Sequence, residues 1–91
     1  MVKRYFDKAM TIRKRREVTK EGYTYITYED LFMGEWYGNF NLYDANGKNL
    51  LHATLEKALP NDKELIAYGD LCVAFIKMNK IAKNRRKTDE D

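Results

Sequence analysis

Phe40-Asn41-Leu42-Tyr43-Asp44-Ala45-Asn46-Gly47-Lys48-Asn49-Leu50-Leu51-His52-Ala53 is the stretch on which the fold turns. Asn46-Gly47 between two alternating runs is a strong hairpin signal, because a type I′ turn needs positive φ at both central positions and Asn and Gly tolerate it. A two-residue loop there pairs Leu42 with Leu51, Phe40 with Ala53 and Gly38 with Leu55 on one face. Tyr43/Leu50, Asn41/His52, Asn39/Thr54 and Tyr37/Glu56 fall on the other. One set is apolar and the other mostly polar, the pattern of an antiparallel sheet buried on one side only.

Downstream, the only proline, Pro60, closes the strand-rich part of the chain. Asn61-Asp62-Lys63-Glu64 then has the spacing of a helix cap, the Asn61 side chain accepting from the backbone three residues on. This predicts a helix starting at Asp62 and fraying before Arg85, with early acids and late Lys/Arg matching the dipole. At 100° per residue, Leu65, Tyr68, Gly69, Leu71, Cys72, Val73, Phe75, Ile76 and Met78 cover more of the circumference than one sheet needs. The reading places Phe75 and Cys72 in the core. The surplus packs under Leu31-Phe32-Met33-Gly34 and Tyr5-Phe6, and the alternative cover is a second copy across a two-fold axis. Gly69, costly in mid-helix, signals a close neighbour, with Trp36 the candidate.

Upstream, Thr11 to Val18 and Tyr23 to Tyr28 read as two more strands, joining Trp36 to Tyr43 and Leu50 to Glu56. Lys20-Glu21-Gly22 suits a three-residue loop with Gly22 left-handed. That register sets Glu17 against Tyr25, Arg15 against Thr27, Val18 against Thr24 and Arg16 against Ile26. Met10, Ile12 and Val18 then share a face with Lys14 and Arg16. Unpaired buried cations cost several kcal/mol, so the strand projects past the core, carries a bulge, or lays its cationic stems along the core edge. A partly projecting edge strand is the preferred reading, since edge cations also discourage aggregation. The expected fold is α+β: a four-stranded antiparallel sheet in ββββα order with one C-terminal helix on one face. Residues 1–87 form a single domain and residues 88–91 a short acidic tail.

The 91 residues, 44% hydrophobic and 34% charged, suit one globular core. No apolar run approaches the roughly 20 residues that span a bilayer, and no signal-peptide pattern opens the chain, which points to a cytoplasmic protein with no membrane partner. One cysteine, Cys72, and one histidine, His52, build neither a disulfide framework nor a conventional zinc site. The net charge of +3 is segregated. Residues 1–20 hold eight Lys/Arg and two acids, residues 21–70 three and nine, and residues 71–91 six and three.

Catalytic chemistry is thinly supplied. His52 in a hairpin reads as a surface residue, Cys72 as a small core thiol, and Glu29, Asp30 and Glu35 lack the ligand spacing of a calcium loop. No glycine-rich phosphate loop is present. The expectation is a non-enzymatic chain without cofactor or metal. Binding is better supplied: Arg13, Arg15, Tyr23, Tyr25, Tyr37, Asn39, Asn41 and Tyr43 are expected on the uncovered sheet face, flanked by the acidic loop of Glu29, Asp30 and Glu35. Tyr and Arg are enriched where interfaces concentrate binding energy. The alternative is nucleic-acid binding through Arg13, Lys14, Arg15 and Arg16 together with Lys83, Arg85, Arg86 and Lys87. Protein binding ranks first, because the ββββα order departs from RNA-recognition folds and nine acids interrupt the basic surface.

Phe, Tyr, Met, Ile, Asn and Lys total 38 residues against 19 for Gly, Ala, Arg and Pro, the balance of AT-rich coding. In that general style the chain resembles accessory proteins of phages and mobile elements, which implies a small regulatory or inhibitory protein acting on a protein partner.

Overall fold

The computed structural model describes the backbone of residues 11–90 and the side chains of residues 11–80. Tyr5, Phe6, Met10 and Asp91 lie outside the described residues, as do the side chains of Lys83, Arg85, Arg86 and Lys87. Strands β1 (Ile12–Lys20), β2 (Tyr23–Phe32), β3 (Glu35–Tyr43) and β4 (Asn49–Leu55) form one antiparallel sheet in sequential order, followed by helix α1 (Asp62–Glu90). The fold is the α+β arrangement that the sequence implies.

The β3–β4 pairing follows the alternation of apolar residues. Gly38 faces Leu55, Phe40 faces Ala53 and Leu42 faces Leu51, as expected. The connection itself is different. Tyr43 pairs with Asn49, so an extra residue is accommodated near the turn. The Gly47 amide bonds the Asp44 carbonyl, and the Asp44 carboxylate accepts from the amides of Asn46 and Lys48 at 2.9 Å each. Only Gly47 takes positive φ, at 82°. The aspartate thus supplies the turn geometry that a type I′ loop would have demanded of Asn46.

The β1–β2 hairpin corrects the expected register. Glu21 and Gly22 both adopt positive φ (52° and 85°) and close a two-residue turn. Lys20 consequently pairs with Tyr23, and Val18 with Tyr25. One residue of slip exchanges the faces of a strand. Tyr23 and Tyr25 therefore lie on the helix-covered face, beside Val18, and Thr24, Ile26 and Tyr28 take the other. The β2–β3 turn, Met33-Gly34, is also two residues with positive φ, and it sets Tyr25 opposite Leu42 and Thr27 opposite Phe40. A bulge, not a projecting strand, deals with Lys14: the pairing shifts between Arg13 and Arg16, with Lys14 at φ 56°, while Arg16 stays on the covered face opposite Thr27 and is met by Asp62 and the Pro60 carbonyl.

Helix α1 is capped as its sequence requires, the Asn61 carboxamide oxygen accepting from the Glu64 amide at 2.9 Å. With no glycine or proline after Gly69, it runs on to Glu90 instead of fraying before Arg85. It lies against β1 and β2. Leu65 is fully buried with Phe40, Leu42 and Tyr25, and Tyr68, Cys72, Val73 and Ile76 pack around them. Each buried aliphatic or phenyl group in this cluster contributes roughly 1.5–3 kcal/mol. Tyr68 meets Phe40 edge-on with ring centroids 4.7 Å apart. Gly69 does mark a close approach, but its neighbour is Tyr25, whose ring occupies the space a Cβ would need. Phe75, expected in the core, is 58% exposed, because the helix presents it to the side of the sheet contact.

The segment from Glu56 to Asn61 crosses the covered face from β4 back toward β1. Its Ala58 amide donates to Glu29 Oε2 (2.9 Å) and its Leu59 amide to Thr27 Oγ1 (3.1 Å), while Thr27 itself donates to the Asn39 carbonyl (2.9 Å). The Lys57 backbone lies directly on Gly38, where any side chain would collide with it. Arg16 finishes the crossing by donating to the Pro60 carbonyl and to Asp62. This fixed route delivers α1 to the β1–β2 half of the sheet.

Candidate functional site

Tyr25 is 2% exposed, and its hydroxyl donates to Asp70 Oδ1 at 2.9 Å. Lys20 donates to the other oxygen of Asp70 at 2.6 Å. Burial, reinforced by the hydrogen bond to Asp70, raises the Tyr25 phenol far above its ordinary range. Hydrogen bonds from Lys20 and then Tyr25 hold the Asp70 carboxyl below its usual value. This cluster joins helix to sheet, so Tyr25 belongs to the core. Tyr23 lies on the same covered face, with the Lys77 ammonium 5.9 Å from its ring centre.

Glu29 also turns inward. It is 2% exposed, receiving Arg13 Nε at 2.8 Å as well as the Ala58 amide. Those two donors, the amide first, lower its pKa against the opposing effect of burial. The acidic loop thus loses its first member: Glu29 is an internal anchor, Asp30 is half-buried beneath Asn39, and Glu35 is exposed. Arg13 lies on the covered-face side, its guanidinium 3.9 Å from the centre of the Trp36 ring.

The uncovered face keeps Tyr37, Asn39, Asn41 and Tyr43, as the β3 alternation requires. The two asparagines do not reach into solvent, however. Asn39 Nδ2 donates to Asp30 Oδ1 at 3.0 Å, and Asn41 Oδ1 lies 2.8 Å from His52 Nδ1 and accepts from Asn49 Nδ2 at 3.3 Å. Burial raises the Tyr28 phenol, while a hydrogen bond with Asn41 opposes the shift. Both asparagines are buried by their neighbours and tie β2, β3 and β4 together. Arg15 is exposed and bonds Glu17 at 2.6 Å.

The surface that the sequence reading missed is the end of the β2–β3 hairpin. Leu31, Phe32, Met33 and Tyr37 are exposed together, Met33 to 85%, and Ile12 on β1 lies alongside. Phe32 and Tyr37 stand 6.5 Å apart, centroid to centroid, on the uncovered side. Leu31 and the Arg13-stacked Trp36 occupy the other. The signal was present in Met33-Gly34: a two-residue turn keeps both strands paired through Phe32 and Glu35, and so carries the apolar residues out to the end.

Among the described residues no group of three His, Cys, Asp or Glu side chains is placed to hold a metal, and no helix is long and apolar enough to cross a membrane. Cys72 is half-buried, and burial pushes its thiol up, away from the thiolate a nucleophile needs. In the first basic cluster Arg13 is held by the buried Glu29, while Arg15 with Glu17 and Arg16 with Asp62 form solvent-exposed pairs. Comparison with protein-family models, curated proteins and solved structures finds no match to the chain.

Proposed function

We propose that the chain is a small non-enzymatic protein-binding module, a regulatory or inhibitory accessory protein that grips its partner with the end of the β2–β3 hairpin. The observation that carries this reading is the joint exposure of Leu31, Phe32, Met33 and Tyr37 on a paired, two-stranded extension. A contiguous apolar patch rimmed by charge marks an interaction site, and aromatic anchors bordered by polar groups carry most of the energy at such sites. Here Phe32, Tyr37 and Ile12 form the patch on the uncovered side, rimmed by Asp30 and Glu35, with Met33 at the tip and Leu31 on the opposite side. Methionine lets the end adapt to an uneven partner surface. Protein binding is favoured over nucleic acid because the exposed hairpin end is apolar and carries the acids Asp30 and Glu35, and its neighbouring Arg13 is held by the buried Glu29.

The test is quantitative capture from a bacterial extract with immobilised full chain, comparing wild type with Phe32→Ala, Met33→Glu and, as a control on the remote part of the same face, Tyr43→Ala. Loss of about 2 kcal/mol of binding on truncating Phe32 is expected, with the control unaffected. Equal capture by all four chains rejects the hairpin end as the contact. Binding to duplex DNA that falls steeply with salt, at about −0.9 log unit per phosphate contact, moves the assignment to nucleic acid.

A further inference from the structure

Helix α1 carries a second apolar stripe that its own sheet leaves bare. Leu65, Gly69, Cys72 and Ile76 face the sheet. Ala67, Leu71, Ala74, Phe75 and Met78 are all exposed, Leu71 to 72%. Tyr68, Leu71, Phe75 and Met78 recur at alternating three- and four-residue steps, the 3.5-residue period of a helix that packs along another helix. Tyr68 leans on Phe40 of β3, so this flank borders the β3–β4 half of the covered face. Four strands at about 4.8 Å span roughly twice the 10 Å width of a helix, so Phe40 and Leu42 of β3 are fully buried while the outer strand β4 is left short of cover. On β4, Leu51, Ala53 and Leu55 are only half-buried, and an open hollow of about 620 Å³ lies at the start of α1, lined by the polar Asn61, Lys63 and Glu64 as well as by Leu59, Tyr68 and Leu71.

We infer that a second copy of the chain covers the Leu71–Met78 stripe, the two α1 helices packing antiparallel about a two-fold axis near Ala74. Charge selects both the occupant and its direction. The acid on this flank at the start of α1 is Glu64, Asp62 being held by Arg16 on the β1 side, whereas positions 77–87 hold six Lys/Arg and no acid. A parallel pair would set acid on acid and base on base. An antiparallel pair centred between residues 74 and 75 sets Leu71 against Met78, and position 64 against position 85. The stripe is thus complementary to itself, as a two-fold interface requires. The flank is remote from the hairpin end, because α1 runs from Arg16 toward the β1–β2 turn at Lys20 and away from Met33. The dimer and the proposed partner contact therefore stand or fall separately.

Sedimentation equilibrium of the full chain measures the pairing. The expected result is a mass rising with concentration to twice the chain mass, weakened at least about tenfold by Leu71→Glu or Phe75→Glu at unchanged circular dichroism, and untouched by Met33→Glu. Direction is read by oxidation in a Cys72→Ala background. Ala74→Cys, close to the axis, should cross-link to itself, and Glu64→Cys, roughly 30 Å from its counterpart in an antiparallel pair, should not. One invariant monomer mass up to about 1 mM overturns the proposal. Self-linking by Glu64→Cys without Ala74→Cys overturns the antiparallel arrangement. Leu71→Glu unfolding a chain that was monomeric throughout shows that the flank is covered from within. Anionic vesicles bound by a monomeric wild type and released by Leu71→Glu would assign the stripe to a lipid surface instead.

Discussion

The two halves of the covered sheet face are held in different ways. Under the helix, the β1–β2 half is crowded with polar anchors: Lys20 and Tyr25 on Asp70, Arg16 on Asp62, Arg13 and the Ala58 amide on Glu29. The β3–β4 half is held by apolar contact, with Phe40 and Leu42 of β3 fully buried against Leu65 and Tyr68, and Leu51, Ala53 and Leu55 of β4 only half-buried. Apolar burial is non-directional and would accept the helix on either half. Directional bonds choose between them. No buried side-chain nitrogen or oxygen among the described residues lacks a partner, so the anchors fix the position of the helix without leaving an unpaired polar group behind.

Tyr25→Ala strikes the anchored half hardest. It empties a core aromatic site and removes one donor to Asp70, so a loss of about 3–5 kcal/mol is expected in chemical denaturation. A change below 1 kcal/mol would mean that Tyr25 does not anchor the helix to the sheet. Glu29→Gln comes next, at about 1–3 kcal/mol, because it weakens the charge-assisted bonds from Arg13 and Ala58. Its signature is in the pH dependence. The folded-state pKa of Glu29 is depressed. Its contribution is therefore complete above the unfolded carboxyl value of about 4.3 and disappears as pH falls through the lower folded value. The glutamine variant should show a shallower acid loss than wild type, and parallel curves would rule out the ionised anchor. Phe75→Ala, on the bare flank, should cost under about 1 kcal/mol in dilute monomer, as surface substitutions do. A loss like that of Tyr25→Ala would place Phe75 back in the core.

The sequence disclosed what depends on neighbours along the chain. The Asn61 cap, the helix after Pro60 and the alternation of Phe40 and Leu42 against Leu51 and Ala53 are local, and the structure keeps them. The faces of β2 were misread because a left-handed Glu21 costs strain that a left-handed Gly22 does not. Local preference therefore favoured the longer loop. What outweighs that cost is tertiary: the Tyr25 ring beneath Gly69, and Asp70 above its hydroxyl. Counting back from Met33-Gly34 would have set Tyr25 against Leu42 and exposed the conflict. Phe75 failed for another reason. Helical periodicity gives the width of an apolar arc, and only the route of the Glu56–Asn61 crossing decides which part of the arc meets the sheet.

That crossing also constrains how the chain can vary in length. Two consecutive amides, Ala58 and Leu59, are each committed to an acceptor on β2, and Lys57 rests on a glycine that leaves no slack. Inserting or deleting one residue between Glu56 and Asn61 would pull both amides out of register at once. Gains and losses of residues are left to the three hairpin turns, where the backbone leads into solvent.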